Sequence, residues 1–137
     1  MERILAIDYG RRRVGMAASD PLGITAQPLG THEGTPGEAL AAIVRVCHER
    51  KIERIVMGLP LNMNGTEGPM AAEVREFGER VALATGLPVE FSDERLTSWG
   101  AEQQLRGVKR RKKDRGRVDA MAAAQILRDY MDGRPRA

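Results

Sequence analysis

Asp8 closes an apolar run, "LAIDYGRRRVG" (Leu5 to Gly15), which reads as a buried strand and then gives way to a glycine and three arginines. A carboxylate there is costly unless a partner offsets its charge. Two further acids stand in comparable settings. Glu94 ends the short β-type stretch "PVEFSDE", and Asp119, in "VDAMAAAQIL", shares a helical face with Ala122, Ala123 and Ile126. Each has an ordinary explanation alone: Asp8 a turn before Gly10, Glu94 an ion pair with Arg95, Asp119 a helix cap or dipole partner. Brought to one rim, the three would repel and raise one another's pKa values unless cations intervened. An all-oxygen set of this kind suits Mg²⁺ or Mn²⁺. Two such ions about 3.5–4 Å apart orient water, stabilise a pentavalent phosphate and neutralise the leaving oxygen. The chemistry indicated is phosphodiester hydrolysis. His32 and His48 lack a Cys or His partner and Cys47 is the single cysteine, so neither a zinc cluster nor a Ser-His-Asp triad has a layout here.

Basic residues crowd the same stretches. Arg11, Arg12, Arg13 and Arg95 adjoin the acids and are candidates for phosphate contacts. From Arg106 to Arg117, "RGVKRRKKDRGR" holds eight Lys or Arg against one Asp. That segment carries +7, and the net charge of the chain is only +3, so the remainder is mildly acidic. One intensely basic segment on an acidic body is the pattern of a chain that grips a polyanion at one place. Lys109, Arg110, Arg111, Lys112, Lys113, Arg115 and Arg117 are its candidate backbone contacts. A solvated charge run is the plain alternative. Aromatic residues make up 4% of the chain, which gives base-specific stacking little support, and Trp99 reads as a packing residue.

The elements that must position these groups follow from period and punctuation. Arg3 to Asp8 is near-continuously apolar, as a strand buried on both faces should be. Val14 to Ser19 reads as a second strand, kept thin by Gly15, Ala17 and Ala18 so that a neighbour can approach closely. Gly23 to Thr31 is a third, with Pro28 assigning it to an edge. "TPGE" (Thr35 to Glu38) is a capping box, followed by Leu40, Ile43, Val44 and Cys47 at helical spacing. Arg54 to Pro60 is a fourth strand. Met70, Val74, Phe77 and Val81 mark a second helix, stopped by Gly86 and Pro88, and Pro88 to Glu94 is a fifth strand. Thr97 or Ser98 can cap a short helix to about Leu105, and Val118 to Met131 forms the last. The order predicts an α/β chain: a three-strand antiparallel meander plus parallel strands in one mixed five-stranded sheet, with helices on both faces. Ligands of such sheets gather beyond the carboxyl ends of the parallel strands, where Asp8 and Glu94 would open.

"AIDYGRRRVGMAASD", "VMGLPLNMNGTEGP", "SDERLTS" and "VDAMAAAQIL", taken in that order and spacing, resemble the YqgF/RuvX family of RNase H-like nucleases, relatives of the Holliday junction resolvase RuvC. The resemblance covers about Arg3 to Tyr130. It implies an RNase H-like fold, with Asp8, Glu94 and Asp119 at the acidic catalytic and metal-binding positions. It further implies a bacterial cytoplasmic nuclease that processes the 5′ end of pre-16S rRNA. Asp8 would bridge two ions, Glu94 and Asp119 would each complete one side, and cleavage would leave a 5′-phosphate and a 3′-hydroxyl. One departure is Asn64, which stands where members often carry Asp before the glycine; Asn-Gly keeps the turn chemistry.

Length bounds the rest. The 137 residues fit one nuclease domain, with a core over about residues 3–132. No apolar stretch nears the roughly 20 residues a membrane span requires. A single cysteine and no secretory leader point to the cytoplasm, and a monomer or homodimer is equally compatible. Two other functions fit the same residues. A junction resolvase acting on DNA would use identical chemistry but needs paired symmetric cuts, hence a dimer. A non-catalytic RNA-binding ribosome-assembly factor would need only the basic segment.

Overall fold

The apolar run at the N-terminus becomes the middle of a sheet. A computed structural model of the chain describes residues 2–94 and 112–133, with backbone alone for 112–118. Strands β1 (Ile4–Tyr9), β2 (Arg13–Ser19), β3 (Ala26–Glu33), β4 (Arg54–Leu59) and β5 (Val89–Asp93) form one sheet in the order β3-β2-β1-β4-β5. β1, β2 and β3 pair antiparallel as a meander, and β4 and β5 run parallel to β1. β3 takes the edge that Pro28 requires, and its register shifts opposite Met16 and Ala17.

Alternation along β1 supplies both faces. Leu5 and Ile7 join the core beneath α1 (Pro36–Arg50) and α2 (Pro69–Thr85), while Ile4 and Ala6 join the core beneath α3 (Lys112–Asp132). The first core takes Ile43 and Cys47 from α1 and Val74, Phe77 and Val81 from α2. The second is built on α3 from Ala123, Ala124, Ile126 and Leu127. This is the mixed five-stranded sheet with helices on both faces that the element order predicts.

Local chemistry sets the helix ends. Thr35 accepts from the Glu38 amide at 3.2 Å, and the Glu38 carboxylate accepts from the Thr35 amide at 3.1 Å, which completes the capping box. α1 stops at Lys51, held in the left-handed region at φ 55°, and α2 stops at Gly86 with φ 70°. In the loop after β4, Asn64 Oδ1 accepts from the Thr66 amide at 3.1 Å and from its hydroxyl at 2.6 Å. The amide oxygen thus closes the turn as a carboxylate would.

Two boundaries differ from the sequence reading by three residues or more. α3 starts at Lys112, six residues before Val118, so the end of the basic segment is helical. Lys and Arg are good helix formers, but a run of them shows no apolar period from which a start can be read. β3 begins at Ala26 rather than Gly23, because Asp20 ties residues 20–25 into a turn through Thr25 and Ile24. The helix expected over Thr97 to Leu105 lies outside the described residues, as does Trp99.

Candidate active site

Asp8 lies at the carboxyl end of β1 between two glycines. Gly15 of β2 is its direct partner in the antiparallel ladder. Gly58 of β4 follows Met57, the last residue of β4 paired with β1. Neither glycine is replaceable without movement. A Cβ at Gly15 would overlap the Asp119 carbonyl and lie 2.9 Å from the Ala120 nitrogen. A Cβ at Gly58 would overlap the Glu94 carboxylate and lie 2.7 Å from Ile126 Cδ1. The sheet is therefore bare on each side of Asp8, with the Asp119 main chain over Gly15 and the Glu94 carboxylate over Gly58. Ala123, with no exposed surface, and Ile126 fill the α3 interface below Asp119.

Asp8 feels both of the other carboxylates. Burial pushes the Asp8 carboxyl well above its ordinary range, and the charges of Glu94 and Asp119 push it further. Glu94 is raised as well, by its own burial first and also by the neighbouring Asp93 charge. Asp119 meets a cation instead: Arg13 Nε donates to its Oδ2 at 3.0 Å. Among the described residues, no three acids converge on a single point in a coordinating arrangement. The donor set nonetheless fits a hard divalent ion: carboxylate oxygens only, with the charges of Glu94 and Asp119 acting on Asp8.

The arginines that adjoin Asp8 divide among different partners. Arg11 Nε pairs with Glu73 of α2 at 2.9 Å, and Tyr9 Oη reaches the same carboxylate at 3.4 Å. Arg12 is exposed. Arg13 turns onto Asp119. Arg95, Lys109, Arg110 and Arg111 lie outside the described residues. Lys112, Lys113, Arg115 and Arg117 fall in the helical backbone of α3 that leads directly into Asp119. Sequence reasoning missed Glu73 and the special place of Gly58. It could have separated Arg13 from its neighbours, because period-2 alternation puts Arg13 on the same face as Gly15 and Ala17.

Comparison with known proteins agrees with this architecture. The family model described as "RuvX: Holliday junction resolvase" matches residues 2–133. A protein of Chloroflexus aurantiacus is 47% identical over 133 residues, covering 96% of this chain and 87% of the relative. One of Anaeromyxobacter dehalogenans is 47% identical over 135 residues, covering 96% and 98%. Both carry the name "Putative pre-16S rRNA nuclease". In fold, the chain is similar to Thermus thermophilus RuvC in complex with a Holliday junction substrate, with a TM-score of 0.60 at 16% identity over 97% of this chain and 98% of that one. It is also similar to the fowlpox virus Holliday junction resolvase, with a TM-score of 0.52 at 10% identity over 96% and 99%. The meander, the two parallel strands and the helices on both faces are thus an RNase H-like fold, and the chain belongs to the RuvX family.

Proposed function

We propose that this protein is a divalent-metal-dependent nuclease of the cytoplasm that processes the 5′ end of pre-16S rRNA, with Asp8, Glu94 and Asp119 as its catalytic and metal-binding residues. The observation that carries the reading is that Glu94 and Asp119, distant in sequence, flank Asp8 across sheet left bare by Gly58 and Gly15. Their crowding is destabilising for the protein alone and has an evident use only if cations enter. Mg²⁺ or Mn²⁺, as one ion or two, would supply positive charge to the phosphate in the transition state and make water a competent nucleophile at neutral pH.

The residues of the chain do the rest. Asp8, central on β1, would serve both sides of the metal site, with Glu94 and Asp119 each completing one. Arg12 and Arg95 would meet phosphates at the rim, and Arg11, anchored by Glu73, would hold a fixed position beside them. Lys109 to Arg117 would grip the backbone: Lys112 lies seven residues before Asp119, roughly 10 Å along the helix at 1.5 Å per residue. Such a grip reads charge, not sequence.

Matched pre-16S RNA and four-way junction DNA, offered to the purified protein with Mg²⁺ or Mn²⁺, test the assignment. Cleavage of the RNA at its 5′ side, lost in Asp8→Asn, is the expected result. Cleavage confined to the junction would favour the second reading, a DNA resolvase, which the RuvC-like fold supports. Rescue of rRNA maturation in cells by Asp8→Asn, Glu94→Gln and Asp119→Asn alike would favour a non-catalytic assembly factor.

A further inference from the structure

Arg13 Nε donates to Oδ2 of Asp119 and so sets a fixed cation against one of the three acids. It is the first residue of β2, two positions before Gly15, whose missing side chain lets the Asp119 backbone rest on the strand. The pair joins residues 106 apart in sequence, and the two side chains are 29% and 24% exposed, which shields them from much of the solvent. A guanidinium keeps its charge at any working pH. Among the crowded acids, Asp119 is thus the one that carries a fixed cation through Oδ2.

We infer that Arg13 is a positioning residue that holds Asp119 oriented through Oδ2 and competes with the divalent ion for that carboxylate, rather than a contact to substrate phosphate. The inference rests on the metal-site reading above. Two consequences of opposite sign follow. Loss of the guanidinium removes a positive charge beside the ion site, so a divalent ion should bind more tightly. Asp119 then loses the N–H that holds its Oδ2 in place, so turnover should fall. A residue of merely structural value would weaken both.

The test uses the full-length protein and Mn²⁺ as the probe, by titration calorimetry without nucleic acid, beside cleavage kinetics at saturating Mn²⁺. Arg13→Gln should bind Mn²⁺ about tenfold more tightly than wild type, on the scale of one nearby charge in a partly shielded site. Its kcat should fall at least about tenfold, with KM for nucleic acid within about twofold of wild type. Arg13→Lys keeps the charge without the planar fork, so Mn²⁺ affinity should return to wild type while kcat stays low. Unchanged or weaker Mn²⁺ binding by folded Arg13→Gln overturns the inference, as does wild-type kcat in Arg13→Lys. If Arg13→Gln fails to fold, Arg13→Lys decides alone. If folded wild type binds no Mn²⁺, the metal-site reading itself has failed; if wild type binds and only the Arg13 results depart, the failure belongs to this inference.

Discussion

The main-chain carbonyl of Asp119 rests against Gly15 where any other residue would place its Cβ. Because Gly15 is the ladder partner of Asp8, this one contact fixes how close α3 brings its acid to the acid on β1. The obstacle is backbone rather than a flexible side chain, so it cannot rotate away. Gly15→Ala should lower kcat by about 100-fold through a displacement of roughly 1 Å, with a fall in melting temperature. Gly37→Ala is the matched control: its Cβ would meet Thr35 Oγ1 at 3.9 Å, an ordinary contact in the first turn of α1. That variant should gain about 0.4–1 kcal/mol in urea unfolding with activity unchanged.

Asp8→Asn should abolish cleavage and yet stabilise the metal-free protein at neutral pH. Burial first, then the Glu94 and Asp119 charges, raise the folded Asp8 carboxyl well above its unfolded value. Below the unfolded pKa both states are protonated and the site imposes no charge penalty. As pH rises towards the folded value, the unfolded chain binds fewer protons than the folded one, and stability is lost. Thermal melts of wild type from pH 4 to pH 8 in chelator should decline more steeply than those of Asp8→Asn. A wild type that gains on Asp8→Asn across this range would show that the acids do not crowd.

Asp20 behaves in the opposite sense. The Thr25 hydroxyl first, then the backbone amides of Ile24 and Thr25, hold its carboxylate down to about 2. Its stabilising effect is present above the unfolded value and disappears as pH falls towards about 2. Asp20→Asn should therefore melt below wild type at pH 7, with the gap closing at pH 2. Equal gaps at both pH values would contradict the hydrogen-bonded turn.

The basic segment should make nucleic-acid affinity steeply salt dependent. Replacing Lys109, Arg110 and Arg111 with Gln should weaken binding to any sequence and reduce the log–log salt slope by about 2, at ~0.7 per lost single-strand phosphate contact. Fluorescence anisotropy from 50 to 200 mM salt measures it. An unchanged slope would return the segment to the status of a solvated charge run.

How far the sequence reveals the site depends on whether a feature is local. Asp8 on an apolar strand, the thin β2 around Gly15 and the small-residue face of α3 are all visible as pattern, and together they suggest the approach of Asp119 to Asp8. Gly58 is not visible as a partner of Glu94, because it matters only through the parallel pairing of β4 with β1 and β5, strands separated by whole helices. Glu73 looks like any acid on the outer face of α2 until the fold brings Tyr9 and Arg11 to it. Adjacent arginines look alike in sequence, yet strand phase sends Arg13 inwards to Asp119. The start of α3 is hidden because its first two turns carry charge where an apolar stripe would announce a helix.

The most direct measurement is Mn²⁺ located by its anomalous scattering in crystals of the protein. The account expects at least one ion ligated by Asp8 together with Glu94 or Asp119, over the surface cleared by Gly15 and Gly58, and no ion there in Asp8→Asn crystals. Ordered carboxylates at these three positions with no ion among them at millimolar Mn²⁺, in a protein that still cleaves RNA, would contradict it.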